Sequence, residues 1–334
     1  DPFHFAVRQT IFGIGAAVVM VSVSMLSGRG VRRWALIIYG LTILMMLALP
    51  VIGHSAKGAS RWIEFSGFSL QPSEFMKPAL IVLCGWMFAE GQKGEGVPGV
   101  SIAFVLYAIS VTLLLIEPDV GQTILVTIAF GAAFFMAGVP IRWILGLGGA
   151  AFAGIVTIYF TFQHVATRVH SFLGKSPEEG GHQVDKALEA IRAGGLFGKG
   201  PGEGVFKRQV PDGFTDFIYA LAAEEYGLVF SLTLIAVLGF VVIRGLYKAM
   251  RLQDSYEQVA AAALFVLVGQ QAFINVAVNL KMIPTKGMTL PFISYGGSSM
   301  LAMGLTLGFA MALTRRRPGA YATAPLVAPA GQFA

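Results

Sequence analysis

Four stretches of the 334-residue chain set ionisable side chains against apolar sequence, and these residues could do chemistry. The first is GHSAKGASRWIEFSGFSLQPSEFMKPAL, residues 53–80, with Lys57, Arg61, Trp62, Glu74 and Lys77. Glu74 and Lys77 stand three apart at the start of an apolar run, a spacing that lets them pair on one helical face. A structural ion pair is the simpler account of them, and Trp62 also suits an interfacial anchor. The second, IEPDVGQT at 116–123, turns at Glu117, Pro118 and Asp119, where Asp119 is a good helix N-cap. The third is PDGFTDFIYALAAEEYGLV at 211–229, which opens on Asp212 and Asp216 and carries Glu224 and Glu225 into apolar sequence. A cap at Thr215 or Asp216 explains one acid. It does not explain Glu224 and Glu225. One of these is expected to face the protein interior with a Lys or Arg partner, and Lys207 and Arg208 precede the stretch. The fourth is NLKMIPTKGMTLPFISYGGSSM at 279–300, where Lys281 and Lys286 flank Pro284. Pro291, Gly296 and Gly297, beside Ser294 and Ser298, interrupt the run that follows. Broken backbone at membrane depth survives only where protein or water covers it, so this stretch reads as a cavity wall.

A cavity holding acids and several cations suits a substrate with an anionic phosphate and a reactive hydroxyl. A carboxylate accepts the hydroxyl proton. Lys and Arg, or a bound divalent ion, stabilise a departing phosphate. No His/Cys cluster has zinc-ligand spacing, and His164, His170 and His182 share only one long connection. No Ser-His-Asp order points to hydrolysis. GGLFGKGPGEG, which contains Lys199, lacks the G-x-x-x-x-G-K-[ST] spacing of a phosphate-binding loop.

The elements that must position these residues are membrane helices. The chain is 55% hydrophobic and 13% charged, with a mean hydropathy of +0.71, whereas soluble domains are roughly a quarter charged. Apolar runs lie at about 7–27, 33–52, 73–89, 99–116, 119–137, 141–162, 217–243, 257–280 and 289–313. The expected fold is an all-α polytopic integral membrane protein of about nine transmembrane helices with one large extracytoplasmic loop, about 163–216. Residues 1–317 form a single domain, and the Pro- and Ala-rich tail 318–334 is expected to be disordered. Arg29, Arg32, Arg33, Lys93, Arg142, Arg244, Lys248, Arg251, Arg315, Arg316 and Arg317 fall on one side; Arg8, Lys57, Arg61, Lys281 and Lys286 fall on the other. Eleven against five puts the first side in the cytoplasm, with the N-terminus outside and the C-terminus inside. All four polar stretches then lie outside. The net charge of +6 is spread over these connections and forms no nucleic-acid-binding stripe. One cysteine, Cys84, allows no intrachain disulfide. DPFHFAVRQT enters an apolar run at once, so no cleavable signal is expected there. In the long loop, HQVDKALEAIRAGG places Val184, Leu188 and Ile191 on one helical face, to lie on the membrane or to pack on its own loop.

RWIEFSGFSLQPSEFMKPAL, EPDVGQT, GGLFGKGPGEGVFKRQVPDGFTDFIYALAAEEYG and PTKGMTLPFISYGGSS, in that order, resemble the SEDS family, the group of FtsW, RodA and SpoVE. The match covers most of residues 50–310, and PTKG before TLPFISYGGSS looks most like the division member of the group. The resemblance implies a peptidoglycan glycosyltransferase of the bacterial cytoplasmic membrane that polymerises lipid II on the outer face, at the division septum. A sugar hydroxyl of one lipid-linked disaccharide attacks the anomeric carbon of another, and undecaprenyl pyrophosphate leaves. By the same resemblance, Asp216 of the TDF motif is the essential acid, assigned as general base. Glu74 and Lys77 match the QPSE-x-x-K pair, and Lys286 matches the lysine of PTKG. Lys57, Arg61, Trp62, Asp119, Lys199, Lys207, Glu225, Ser294, Gly296, Gly297 and Ser298 complete the expected substrate cavity. The implied companions are a divalent cation (Mg or Mn), a class B penicillin-binding transpeptidase and other division proteins, with no organic cofactor and no nucleic acid. The family has ten spans with both ends cytoplasmic, so the chain is expected to lack the first, in line with the parity above. Phe214 stands where the family has His. Rival readings are a lipid II flippase, which expects charges at the membrane midplane and inverted repeats, an elongation-type polymerase, and a scaffold that binds division partners.

Overall fold

An apolar run crossing hydrocarbon must satisfy its own backbone hydrogen bonds, and for an open chain the helix is the way to do it. The computed structural model describes residues 4–52, 54–56, 59–65, 68–94, 96–138, 141–161, 166–167, 170, 179–205, 209–210, 213–285 and 287–315. The helices are α1 (His4–Ser24), α2 (Gly28–Ile52), α3 (Pro72–Gln92), α4 (Gly99–Ile116), α5 (Val120–Met136), α6 (Ile141–Thr161), α7 (Glu179–Gly194), α8 (Ile218–Ala249), α9 (Ser255–Asn279) and α10 (Gly297–Thr314). Among the described residues six of them, α1, α2, α4, α8, α9 and α10, are long and apolar enough to cross a membrane by length and composition. The 17-residue α5 is shorter. The runs at 73–89 and 141–162 form α3 and α6. The expected disordered tail lies outside the described residues.

α3 and α9 run through the middle. α3 packs on α2, α4, α5 and α9; α9 packs on α3, α5, α8 and α10. Small side chains let these two approach: a Cβ added at Gly85 would lie 2.9 Å from the Ala260 Cβ, and Ala260 to Ala263 are all buried. Ile14, Leu44, Phe240 and Ile243 point outward from the peripheral helices, as lipid-facing side chains do.

Two features depart from the expected outline. Between α2 and α3 the chain forms a small antiparallel sheet, β1 (His54–Ala56), β2 (Ala59–Phe65) and β3 (Phe68–Leu70), in the order β1-β2-β3. The all-helical expectation did not include it. Its basis is the alternation in ASRWIEF: period 2 puts Arg61 and Ile63 on one face and Trp62 and Glu64 on the other. Second, α7 docks on the α8 and α9 region, where the expectation had it on the membrane or on its own loop. Val184, Ala187 and Ala190 are buried with Phe217, Ala220, Ile274 and Val278 of the α8 and α9 region. Asp185 and Lys281 close this contact at 2.5 Å.

α8 is broken at Gly227, which has φ 82° and ψ −178°. The Gly-rich loop after α7 repairs the break. Leu228 N and Val229 N donate to the carbonyls of Gly195 and Leu196 at 2.9 and 3.2 Å. Lys199 N and Gly200 N donate to the carbonyls of Glu224 and Glu225, each at 3.0 Å. Only glycine suits position 227, because the φ is left-handed and a Cβ would meet Gly198 N at 2.4 Å.

Candidate active site

The polar stretches meet at one end of the bundle, where α3, α5, α8 and α10 begin and α9 ends. Pro72 at the first position of α3 starts that helix, so Glu74 and Lys77 enter its first two turns. Both are buried, and Lys77 Nζ lies 2.9 Å from Glu74 Oε2. Glu74 Oε1 accepts from Gln122 Nε2 of α5 at 2.5 Å, and Lys77 Nζ reaches Gln271 Oε1 of α9 at 3.5 Å. Gln271 Nε2 donates to the carbonyl and hydroxyl of Thr289, both at 3.2 Å. The pair is therefore held by three helices and the loop before α10.

Asp119 caps α5 by accepting from Gln122 N at 3.2 Å, as its cap reading expected. It also accepts from Gln71 Nε2 at 3.3 Å and faces Arg61 Nε at 4.0 Å. Arg61, on the inward face of β2, donates to the carbonyls of Glu117 (3.0 Å) and Pro118. The sheet thus fastens the α4–α5 turn with a cation. Trp62 lies half-buried on the opposite face of β2. Ser298 Oγ, in the first turn of α10, accepts from Gln71 N at 3.2 Å and donates to Ser69 O at 2.5 Å.

Asp216 sits half-buried in the turn before α8. Its backbone carbonyl accepts from Asn275 Nδ2 at 2.9 Å and Asn279 Nδ2 at 3.1 Å. Asn275 Nδ2 also donates to Met288 O at 2.6 Å. Tyr295 N donates to Phe214 O at 2.8 Å, tying the interrupted stretch before α10 to the same turn. Gly287 lies against the acid: a Cβ there would be 3.4 Å from Asp216 Oδ2. Ser294 Oγ accepts from Leu290 N at 2.7 Å, and Gly296 and Gly297 open α10. These contacts shape the wall around Asp216.

Of the two acids inside α8, Glu224 is the interior one. It is fully buried and binds Lys199 Nζ at 3.1 Å and Val205 N at 2.8 Å. Lys199 thereby joins Glu224 and not the Glu74–Lys77 pair. Glu225, the acid assigned to the cavity, is only half-buried, and the glutamate the fold encloses is its neighbour. Both acids lie against the Gly-rich loop, a Cβ at Gly204 falling 2.9 Å from Glu224 Oε2 and 3.2 Å from Glu225 Oε1, but only Glu224 is fully buried. Lys57, Lys207 and Lys286 lie outside the described residues, as do Arg208 and Asp212.

The sequence reading missed the amides. Gln271, Asn275 and Asn279 recur at i, i+4 and i+8 on α9, so they share one face. That stripe, within an otherwise apolar span, was the available signal. Gln122 and Gln71 lay inside the quoted motifs without being singled out.

Glu117, just beyond the end of α4, carries a prediction. It is buried, and both its carboxyl oxygens lack a hydrogen-bond partner among the described residues. Burial, reinforced by the Asp119 carboxylate and opposed by Arg61, pushes its carboxyl from 4.5 up to about 8. The folded protein then holds a proton that the unfolded chain releases. The stabilisation is complete below about pH 4.5 and is lost as pH rises through about 8. Glu117→Gln is expected to raise Tm above that window and to leave it unchanged below. Equal Tm values for parent and variant on the alkaline side would contradict this.

Among the described residues no three His, Cys, Asp or Glu side chains come together as a metal site. The described residues therefore form no protein-held divalent-ion site. What they do offer is one carboxylate at a fixed turn, flanked by a glycine loop, above a buried network of acids, cations and amides. That arrangement can take a proton from a polar substrate whose apolar part stays in lipid.

The chain matches the family model of the FtsW, RodA and SpoVE cell cycle proteins over residues 1–318. It is 70% identical over 322 residues to a probable peptidoglycan glycosyltransferase FtsW of Caulobacter vibrioides, covering 96% of this chain and 82% of that one. A protein of the same name from Halothiobacillus neapolitanus is 36% identical over 333 residues, covering 93% and 78%. Among solved structures, RodA of Thermus thermophilus aligns with a TM-score of 0.69 at 25% identity over 94% of this chain and 88% of that one. A chain of a peptidoglycan synthase complex aligns with a TM-score of 0.78 over 93% and 89%, and at 24% identity it shares the fold.

Proposed function

The chain belongs to the FtsW, RodA and SpoVE family, and from that premise we propose that it is the peptidoglycan glycosyltransferase of cell division. It is a multi-pass membrane protein acting at the outer face of the cytoplasmic membrane, at the septum. The observation that carries the reading is the 70% identity, over nearly the whole chain, to a relative named for this activity. The position of Asp216 supports it: the acid lies in a turn where a helix enters the membrane, within reach of a sugar from water on a lipid carrier held in the bilayer.

In the reaction, a sugar hydroxyl of one lipid II molecule attacks the anomeric carbon of another. The new glycosidic C–O bond forms as the bond to undecaprenyl pyrophosphate breaks. Asp216 takes the hydroxyl proton. The cations of the outer connections offset the charge of the departing pyrophosphate. Glu74, Lys77, Gln122 and Gln271 are a buried brace that keeps the helix ends in register beneath the site. A divalent ion, Mg²⁺ or Mn²⁺, would offset the charge of the pyrophosphate. The partner is a penicillin-binding transpeptidase, in keeping with the synthase complex that shares this fold.

The test is polymerisation of purified lipid II by the purified protein together with its transpeptidase partner carrying a dead active site. Glycan chains are expected. No polymer, with lipid II scrambled across liposomes instead, would replace this reading with transport.

A further inference from the structure

We propose that Asn275 and Asn279 are positioning residues for the Asp216 carboxylate: two buried amides of α9 splice into the start of α8 and hold Asp216 in a turn that cannot become helix. The inference rests on the reading of Asp216 as the base. It deepens that reading by naming what fixes the base in place.

Both amides are buried, Asn275 to 1% exposure and Asn279 to 0%. In a continuous helix the carbonyl of residue 216 would accept from N–H of residue 220. Here the Asn279 side chain stands between them. Its Nδ2 donates to Asp216 O at 3.1 Å, and its Oδ1 accepts from Ala220 N at 3.1 Å. One carboxamide thus binds both ends of the missing i to i+4 bond, and Ala220 N also donates to Phe217 O at 3.0 Å. α8 begins at Ile218, so the backbone of Asp216 stays outside it.

Asn275 adds the second restraint. Its Nδ2 has two hydrogens and meets two carbonyls, Asp216 O at 2.9 Å and Met288 O at 2.6 Å. The turn bearing the acid is thereby tied to the loop bearing Gly287, the residue beside Asp216 Oδ2. The two amides also meet, Asn279 Nδ2 lying 3.4 Å from Asn275 Oδ1 while it donates to the Asn275 backbone carbonyl at 2.9 Å. Removing either takes away one of the two donors to the Asp216 carbonyl and loosens its turn. A general base must sit within hydrogen-bond reach of its proton, and a displacement of about 1 Å costs on the order of 10²-fold in rate.

The experiment compares parent, Asn275→Ala, Asn279→Ala, the double variant and Asp216→Ala, each with the dead-site partner and purified lipid II. It reads kcat, KM, the kcat–pH profile and Tm. Each single amide variant is expected to lose about tenfold or more in kcat with KM changed by less than about twofold. The double variant should lose less than the product of the singles, because both amides serve one carbonyl. Parental kcat and pH profile with a lowered Tm would overturn the proposal in favour of a purely structural role. A rise in KM alone would overturn it in favour of substrate contact. Should Asn275→Ala fail to fold, Asn279→Ala and Asn275→Ser decide by the same readouts. Asp216→Ala separates the two levels. If it polymerises like the parent, the base reading fails. If it is inactive while the folded amide variants match the parent, only the positioning role fails.

Discussion

Asp216→Ala is expected to abolish glycan polymerisation while the protein remains folded and monodisperse. The two halves of this expectation have different physical sources. General bases contribute about 10²- to 10⁴-fold, so their removal leaves little product in a gel assay. Two structural bonds at this position, by contrast, are made by the backbone. Asn275 and Asn279 bind the Asp216 carbonyl, which alanine retains. The carboxylate itself is half-buried and belongs to none of the apolar clusters that hold the helices together. The measurement is polymer length and yield from purified lipid II, with Tm and gel filtration on the same samples. Undiminished polymer would remove Asp216 from the mechanism. An unfolded or aggregated variant would give the side chain a structural task that the backbone contacts do not predict.

The second large effect concerns stability. Lys77→Met should lower Tm sharply, because it strands the Glu74 carboxylate in a buried site. Breaking a buried pair from one side costs about 3–5 kcal/mol. Glu74 would keep the Gln122 donor, and Gln271 Oε1 would lose its approach from Lys77. Glu74→Gln alone should also destabilise, by leaving Lys77 without its anion. The double variant Lys77→Met with Glu74→Gln removes both charges and should recover much of the loss, since replacing a buried pair by neutral groups of similar volume is often near neutral. Thermal unfolding of the three variants in detergent checks this. A single variant as stable as the parent, or a double variant no better than the singles, would show that the pair is not a buried brace.

Several parts of the site were legible because the interactions that make them are local. Glu74 and Lys77 are three residues apart on one helix, and that spacing alone brings them to 2.9 Å. Asp119 precedes an apolar run and caps it. The interrupted stretch before α10 announced itself through Pro291, Gly296 and Gly297. Other parts depend on distant segments. Glu224 pairs with Lys199, 25 residues earlier, because the Gly-rich loop folds back onto the break at Gly227. Arg61 meets the α4–α5 turn because a small sheet directs it there. The amides of α9 reach Asp216 across 59 and 63 residues.

The sequence by itself determined the membrane class and the family, and it nominated Asp216 for the chemistry. Hydropathy, the distribution of Lys and Arg, and contiguous motifs are all properties of the chain read in order. Only the tertiary structure decided which of Glu224 and Glu225 is enclosed, which helix braces Asp216, and that α7 lies on protein. The reason is the solvent. In water an apolar stripe marks the buried face of a helix, but lipid is as apolar as a protein core, so hydrophobicity does not separate the side facing lipid from the side facing a neighbour. That choice is made by close packing of small residues and by pairing of polar groups between helices, which exist only once the helices have met.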